Sequence, residues 1–222
     1  MAIDLFQILR ELELPKPEGI LQVGASYGQE LETFVANGVV FGVFIEPLEA
    51  PFQHLSANCR RVPGFVAVRT LCSDVTGKTY TFHVASNHGM SSSILRPANH
   101  LSQFDYVKFN ETIDVISNRL EDVIDFLEKN GHKHVVDGLD TLYMDTQGAE
   151  LKVLHGAGRA LESIKYIFME VTRNELYEGA PSLQDLVSFL DSVGFTLNNV
   201  YFNKEQCGDA LFIRKSLLGL SA

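Results

Sequence analysis

The chain carries at residues 144–154 the sequence Met-Asp-Thr-Gln-Gly-Ala-Glu-Leu-Lys-Val-Leu, which joins an apolar strand to a helix through an acidic turn. The residues from Leu139 to Met144 are mostly apolar, and apolar positions from Leu151 to Leu161 recur at helical spacing. Asp145 therefore stands at the carboxyl end of a strand, where open α/β sheets bind their ligands. An Asp before a helix also commonly caps the free N–H groups of that helix, so the segment alone leaves both roles open for Asp145.

Strands and helices alternate on both sides of this segment. The predicted strands are 19–24, 39–45, 65–71, 141–145 and 166–171, and the predicted helices are 29–36, 51–60, 119–128, 150–161 and 182–193. This alternation is typical of a parallel sheet with covering helices. The final runs, 196–202 and 210–214, are joined by a polar turn that suits an antiparallel pair.

Residues 1–18 are predicted to form an N-terminal helix and a proline-rich connection. Apolar side chains from Ile3 to Leu14 suit one face of a helix, which Pro15 and Pro17 cannot continue. Residues 19–222 are predicted to form the main domain, with an insertion at about 78–117. Two strands and a serine-rich loop make up this insertion, which we expect to lie over the site.

The composition favours one α/β domain that acts on a small partner. The 222 residues are 45% hydrophobic, which is enough for one sizeable core, and a formal net charge of −10 argues against a nucleic-acid-binding surface. Three widely separated cysteines without CxxC spacing indicate neither a disulfide framework nor a metal site. The N-terminal residues lack the apolar stretch of a signal peptide, and no run of about 18 apolar residues occurs, so we expect a cytoplasmic protein with no membrane partner.

A glycine turn follows the first predicted strand. Gly24, Ala25, Ser26 and Gly28 lie in this turn, which departs from the dinucleotide fingerprint GxGxxG because Ser26 stands at the second glycine position. Pyrophosphate needs a close backbone approach at that position, so an NAD-dependent oxidoreductase is disfavoured. Taken alone, the turn is also consistent with simple close packing of a strand and a helix.

An acidic residue ends the second predicted strand. Glu46 is placed to accept hydrogen bonds from the hydroxyls of a ribose, and together with the glycine turn it indicates a nucleoside-bearing ligand. Ser73 and Asp74 follow the third strand, where Asp74 can accept a bond from an exocyclic amine such as that of adenine. With Gly77 close by, Asp74 is equally well explained as a turn residue.

The order and spacing of these pieces resemble the FkbM family of S-adenosylmethionine-dependent methyltransferases. The resemblance extends over about residues 20–214, and its most specific segments are 23–29, 44–47, 73–77, 89–93, 119–122, 144–156, 169–171 and 208–212. It implies a Rossmann-like class I methyltransferase fold, with a seven-stranded, mostly parallel sheet, an antiparallel last strand and helices on both faces. It also implies methyl transfer from S-adenosylmethionine to oxygen, usually a hydroxyl of a sugar or secondary metabolite.

Carried onto this chain, the resemblance assigns the residues of the cofactor site. The turn from Gly24 to Gly28 would hold the methionine end, Glu46 the ribose, and Asp74 with its neighbour Ser73 the adenine. The family usually has an acidic residue at the end of the first strand, where this chain has Gln22. Gln22 keeps a hydrogen-bond acceptor but lacks the charge that would face the ammonium group of the cofactor.

A hydroxyl nucleophile benefits from a base that removes its proton as the new bond forms. Asp145 and Glu170, at the ends of strands expected to be neighbours, are the carboxylate candidates, and His88 in the serine-rich loop is a third. Asp145 can instead hold the cofactor's ammonium, orient the substrate or help to bind a divalent metal. His88 can equally be a solvated loop residue, and Glu150 is best explained by its favourable charge in the first turn of a helix.

A second functional class remains open at this point. A noncatalytic module that keeps the fold and binds or senses a nucleoside ligand is consistent with Gln22 and with the undecided base. The serines of the insertion, Ser91 to Ser93, can bond the cofactor or the substrate, or only cap the turn that follows. The sequence does not identify the methyl acceptor beyond a small molecule with a hydroxyl, and it does not indicate an oligomeric state.

Overall fold

The computed structural model describes residues 4–220 of the chain. Its strands are β1 (Gly19–Val23), β2 (Phe41–Ile45), β3 (Phe65–Val68), β4 (Leu71–Cys72), β5 (Thr79–Val84), β6 (Glu111–Asn118), β7 (Thr141–Met144), β8 (Tyr166–Thr172), β9 (Phe195–Phe202) and β10 (Cys207–Arg214). Its helices are α1 (Leu5–Glu11), α2 (Leu31–Ala36), α3 (Glu49–Cys59), α4 (His100–Gln103), α5 (Leu120–Leu127), α6 (Lys133–Val136), α7 (Glu150–His155) and α8 (Leu183–Ser192). Ile3, which belongs to the predicted first helix, lies outside the described residues, as do residues 1, 2, 221 and 222.

Seven strands form the main sheet in the order β3-β2-β1-β7-β8-β10-β9. All neighbours run parallel except at β10, which is antiparallel to both β8 and β9. The order reverses between β1 and β7, which is the switch point where α/β sheets open a crevice for ligands. The predicted α/β fold, a mostly parallel seven-stranded sheet with an antiparallel last strand, is confirmed.

The strand register brings four strand ends to the same level. Val23 of β1 pairs with Ile45 of β2 and with Met144 of β7, and Met144 pairs with Met169 of β8. The residue after each of these four positions therefore stands at one edge of the sheet. Those residues include both the glycine turn and the acidic candidates from the sequence.

Helices cover both faces of the sheet. Leu21 and Val23 of β1 join one buried cluster with side chains of α5, α7 and α8, whereas Ile20 faces the other way and packs with α2 and α3. Side chains alternate across a strand, so β1 is buried on both faces, as a central parallel strand should be. Helix α1 adds a third cluster, in which Leu5 and Leu9 pack against β8 and β10.

Most predicted elements differ from the structure by one or two residues at their ends, and two end at least three residues earlier than predicted. The strand predicted at 65–71 ends at Val68, because Arg69 turns out to solvent and pairs with Glu49, and β4 then leaves the main sheet to pair with β6. The helix predicted at 150–161 ends at His155, and a short 3-10 helix, Gly158–Leu161, follows after the left-handed backbone of Gly158; Gly156 between them lies against the Ser73 backbone. A Cβ at residue 156 would come within 3.0 Å of the Ser73 carbonyl carbon.

The inserted segment forms a small second sheet in the order β4-β6-β5. Phe82 of β5 and Ile94 of the following loop pack with Leu48, Leu71 and Ala149 at the edge of the main sheet. The serine-rich loop that was predicted between these strands also contains the short helix α4. The division of the chain at residues 18 and 19, with the insertion at about 78–117, stays a prediction.

The helices are short relative to the thickness of a bilayer. Within residues 4–220, none of them combines the length and the apolar character that crossing a membrane requires. The cysteines Cys59, Cys72 and Cys207 are all free thiols.

Candidate active site

A cleft opens at the carboxyl ends of β1, β2 and β7, and the inserted segment forms its outer wall. It encloses about 790 Å³ of space, part of which is open to solvent. A concave site that combines apolar side chains with a few polar groups is typical for a small molecule or cofactor. The lining comprises Val23, Gly24, Ser26, Gln29, Glu30, Ile45, Glu46, Pro47, Leu48, Thr70, Leu71, Cys72, Phe82, Gly89, Met90, Ser92, Ile94, Asp145, Thr146, Gln147 and Ala149.

The glycine turn brings backbone from three strands together. Gly24 has a φ of 83°, and a Cβ at this position would lie 2.8 Å from the carbonyl carbon of Asp145, so only glycine fits here. The N–H groups of Gly24 and Ala25 both donate to the carbonyl of Ile45, at 3.0 and 2.9 Å. Ala25 is buried behind the turn and Gly28 packs on the helix side, whereas Gly24 and Ser26 line the cleft.

Glu46 is the buried acid of the cleft and is 6% exposed. One carboxylate oxygen accepts the N–H of Ser26 at 2.9 Å, and the other accepts the N–H of Leu48 at 2.8 Å. Burial raises the pKa of Glu46 to about 7, although both hydrogen bonds oppose the rise. Each oxygen keeps a further lone pair, so the carboxylate can still accept hydrogen bonds from a ligand.

Gln147 links the two acidic candidates for the base. Its Nε2 donates to Asp145 Oδ1 at 2.6 Å and to Glu170 Oε2 at 2.7 Å. Burial raises the pKa of Asp145 to about 6, and burial together with the charge of Asp145 raises the pKa of Glu170 well above its ordinary value. Burial and the repulsion between the two carboxylates therefore oppose their simultaneous ionisation.

The position of Gln147 is held from several sides. Its backbone is left-handed, with a φ of 53°, which is uncommon for a residue other than glycine. Tyr177 contacts Gln147 Oε1 through its hydroxyl at 2.9 Å, and Ser93 Oγ donates to the Gln147 carbonyl at 2.8 Å. The Tyr177 hydroxyl also lies 2.7 Å from the Ser91 carbonyl, so the inserted loop and the acidic pair are joined through one residue.

Glu150, rather than Asp145, accepts the N–H groups of the turn that precedes α7. Its Oε1 accepts the N–H groups of Thr146 and Gly148, at 3.0 and 3.3 Å, and the Thr146 hydroxyl at 3.0 Å. This geometry matches the structural role expected for Glu150. Asp145 makes no capping bond to α7 and faces the cleft instead.

The structure places three of the other predicted residues away from the lining. The Asp74 Oδ1 atom accepts the hydroxyls of Ser73 and Tyr80, at 2.8 and 2.9 Å, and its Oδ2 atom lies 3.8 Å from Lys152, so these contacts hold the carboxylate outside the cleft lining. The residues that precede it, from Thr70 to Cys72, line the cleft in place of Ser73 and Asp74. His88 is exposed on the loop, with a φ of 59°, and only its neighbours Gly89 and Met90 reach the cleft.

Gln22 and Glu30 form a pair beside the glycine turn that the sequence did not indicate. Glu30 lines the cleft just before α2, and its Oε2 accepts a hydrogen bond of 3.1 Å from Nε2 of the buried Gln22. In the sequence, Glu30 is simply an acidic residue after the glycine turn, and acidic residues are common at the start of helices, so its role in the cleft was not indicated. Gln147 was within the opening motif, but its contact with Glu170 depends on the fold.

The lining suits a nucleoside linked to a charged group. Leu48, Leu71, Phe82 and Ile94 form an apolar wall for a flat ring, and Glu46 offers acceptors beside it. The remaining acids, Glu30 and Asp145, lie on the side of the glycine turn. Within residues 4–220, no three His, Cys, Asp or Glu side chains are grouped as a metal site would require.

Comparison with known proteins identifies the family. The sequence model of the family described as the methyltransferase FkbM domain matches residues 22–197. The protein named 2-O-methyltransferase NoeI, from Sinorhizobium fredii (strain NBRC 101917 / NGR234), is 31% identical over 196 residues, which cover 84% of this chain and 76% of that protein.

Solved structures with a similar arrangement share little sequence. A protein of the NADB-Rossmann superfamily from Streptococcus agalactiae aligns with a TM-score of 0.49 and 15% identity, over 96% of this chain and 70% of that chain. Magnesium protoporphyrin IX methyltransferase from Synechocystis PCC 6803, solved with its bound cofactor, aligns with a TM-score of 0.48 and 10% identity, over 94% of this chain and 74% of that chain.

The family match covers most of the chain and agrees with the architecture of the cleft. The predicted function, an S-adenosylmethionine-dependent methyltransferase, is confirmed at this level. The chain belongs to the methyltransferase FkbM domain family.

Proposed function

We propose that the protein methylates a hydroxyl oxygen of a neutral sugar or a related secondary metabolite, with Asp145 as the base. The observation that carries this proposal is that Gln147, in the cleft lining, donates both to Asp145 of the same lining and to Glu170, which lines the neighbouring pocket. Asp145 lines the cleft as the candidate base, and Gln147 orients its carboxylate through a donated hydrogen bond. The printed name of the relative from Sinorhizobium fredii, a 2-O-methyltransferase, supports oxygen as the methylated atom.

The residues of the chain hold the reactants and handle one proton. When bound, S-adenosylmethionine supplies a methyl group that its sulfonium already activates. Glu46 would accept hydrogen bonds from the ribose hydroxyls, and the apolar wall from Leu48 to Ile94 would hold the adenine. Asp145 would accept the proton of the acceptor hydroxyl as that oxygen takes up the methyl group.

Alignment provides most of the acceleration in such a reaction. Good orientation of two reactants lowers a barrier by roughly 7–11 kcal/mol in the best cases, whereas a base contributes roughly 10²- to 10⁴-fold. The left-handed backbone of Ser26 and Gln147 shapes the two sides of the cleft where the acceptor and donor would meet. The contacts of Gln147 with Tyr177 and Ser93 keep that geometry fixed.

The charges of the cleft support a neutral acceptor. Among the described residues that line it, none is Lys or Arg, while Glu30, Glu46 and Asp145 are acidic. A phosphorylated substrate or an RNA backbone would meet repulsion here, whereas hydroxyl groups can donate to these acceptors. Gln29 and the half-exposed Met90 form the rim through which the acceptor would enter.

A cytoplasmic location belongs to the same proposal. Cys59, Cys72 and Cys207 are all free, which suits a reducing compartment. The seven-stranded domain would then act on metabolites made in the same compartment.

A transfer assay tests the proposed reaction. The protein is incubated with S-adenosylmethionine that carries a deuterated methyl group and with a panel of neutral mono- and oligosaccharides, and the products are read by mass spectrometry. We expect a methyl ether on oxygen. For D145N we expect kcat to fall by roughly 10²- to 10⁴-fold, while affinity for S-adenosylhomocysteine stays within about threefold. Label on nitrogen or carbon, or full turnover by D145N, would contradict the proposal.

A further inference from the structure

The three acids of the cleft differ in the hydrogen bonds that they already accept. Both oxygens of Glu46 accept backbone N–H groups, and Asp145 accepts the amide of Gln147. The carboxylate of Glu30 accepts a single hydrogen bond among the described residues, from Gln22. Glu30 and Asp145 therefore keep more acceptor capacity for a ligand than Glu46 does, and of these two only Asp145 is already assigned the proton of the acceptor.

Gln22 lies behind Glu30 and is the neutral partner of its charge. The Gln22 side chain is 1% exposed at the buried face of β1, and its Nε2 donates to Glu30 Oε2 at 3.1 Å. Its Oε1 is buried and has no hydrogen-bond partner within the described part of the chain. An acid at position 22 would bring two carboxylates to hydrogen-bonding distance, where like charges disfavour ionisation. The amide instead orients Glu30 and leaves its charge in place.

No Lys or Arg among the described lining residues of the cleft balances the charge of Glu30. Glu46 and Asp145 share the cleft, and Tyr143 is the other titratable group that Glu30 influences. A cationic ligand group is therefore favoured at this position. S-adenosylmethionine carries two such groups, the sulfonium and the ammonium at its methionine end.

We propose that Glu30 binds the ammonium group of the cofactor, and that Gln22 is a positioning residue that holds the Glu30 carboxylate toward the cleft. The carboxylate stands on the side of the glycine turn, away from the apolar wall that suits the adenine. The charge that Gln22 lacks is thus supplied by a residue eight positions later, across the turn. This inference rests on S-adenosylmethionine as the methyl donor of the proposed function.

Binding calorimetry on the full chain tests the role of Glu30 without an acceptor. S-adenosylhomocysteine and 5′-methylthioadenosine share the adenosine and the sulfur, but only the first has an ammonium group. We expect E30Q to weaken S-adenosylhomocysteine by about 10- to 100-fold, the range for a charged hydrogen bond, and to leave 5′-methylthioadenosine unchanged. The matched control is E32Q, because Glu32 is an exposed acid of α2 outside the cleft; we expect it to leave both affinities unchanged.

Three other results have distinct meanings. No loss with E30Q, or an equal loss for both ligands, would overturn the assignment of Glu30. A loss with E32Q as large as that with E30Q would show that net charge, rather than the Glu30 contact, controls binding. If the wild-type protein binds neither ligand, the cofactor site itself is wrong, which is a different failure from that of Glu30.

A double-mutant cycle tests the positioning role of Gln22. Q22M keeps the length of the side chain and removes the amide, and thermal unfolding confirms that each variant folds. We expect Q22M to weaken S-adenosylhomocysteine but not 5′-methylthioadenosine, and the double variant Q22M/E30Q to bind no more weakly than E30Q. Additive losses, or equal weakening of both ligands by Q22M, would show that Gln22 does not act through Glu30.

Discussion

Replacing Gly24 with alanine should disrupt the site more than any surface change of the same size. Left-handed backbone costs an alanine about 1–2 kcal/mol. The new Cβ would also lie 2.8 Å from the carbonyl carbon of Asp145, whereas carbon atoms normally stay about 3.5–4.0 Å apart. The end of β1 must therefore move from β7 by about 0.7 Å or more, at a further cost of about 1–3 kcal/mol.

Gly131 provides the matched control for this change. It also has a left-handed backbone, with a φ of 91°, but a Cβ there would meet nothing within 4 Å. Urea unfolding should show a loss of about 2–5 kcal/mol for G24A and about 1–2 kcal/mol for G131A. Calorimetry with S-adenosylhomocysteine should show weakened binding for G24A only. Equal losses of stability in both variants, with cofactor affinity intact, would refute the close approach of Gly24 to Asp145.

Three further predictions concern pH and helix capping. Burial raises the pKa of Glu46 from 4.5 to about 7, so the folded protein holds this proton more tightly than the unfolded chain. The free energy of unfolding of the ligand-free protein, measured in urea, should therefore fall as the pH rises from 4.5 to about 7. Glu46 accounts for at most about 3 kcal/mol of this fall, and E46Q should make the free energy of unfolding less dependent on pH. Gln147 donates a hydrogen bond to Asp145 and thereby lowers the pKa of Asp145, so Q147A should move the acid limb of the plot of kcat against pH to higher pH. If the acid limb stays where it is in the wild-type protein, Gln147 does not act on Asp145 in this way. The Ser182 hydroxyl caps α8, so S182A should lower the free energy of unfolding by about 1 kcal/mol. The affinity for the cofactor should not change, and a weaker affinity would show that α8 supports the cleft.

The sequence predicted the elements that local patterns determine. The apolar runs and their glycine or acidic ends located β1, β2 and β7, and those ends became the cleft because parallel strands finish at one edge. Glu46 was expected at this edge for the same reason. The resemblance to a known family supplied the strand order, which periodicity alone does not determine.

The remaining features depend on contacts between distant parts of the chain. Gln147 bonds Glu170 and Tyr177, which are far along the sequence, so no local pattern indicated the link. Asp74 was expected in the site, but Tyr80 and Lys152 use its carboxylate, and neither contact is visible until β5 and α7 are placed.

A similar reason explains the missed pair at the turn. Gln22 was identified as a departure from the family pattern, whereas its partner Glu30 looked like an ordinary acid before a helix. The turn between them brings their side chains to 3.1 Å only because Gly24 and Ser26 adopt left-handed backbone. The compensation for a missing charge was therefore a property of the fold.

A crystal structure of the protein with S-adenosylhomocysteine tests the central claim most directly. The account predicts the adenine against Leu48 and Phe82, the ribose hydroxyls on Glu46, and the sulfur facing Asp145. It also predicts the ammonium group within hydrogen-bonding distance of Glu30. A ligand bound outside this cleft, or one in the cleft whose ribose makes no contact with Glu46 and whose sulfur faces away from Asp145, would contradict it.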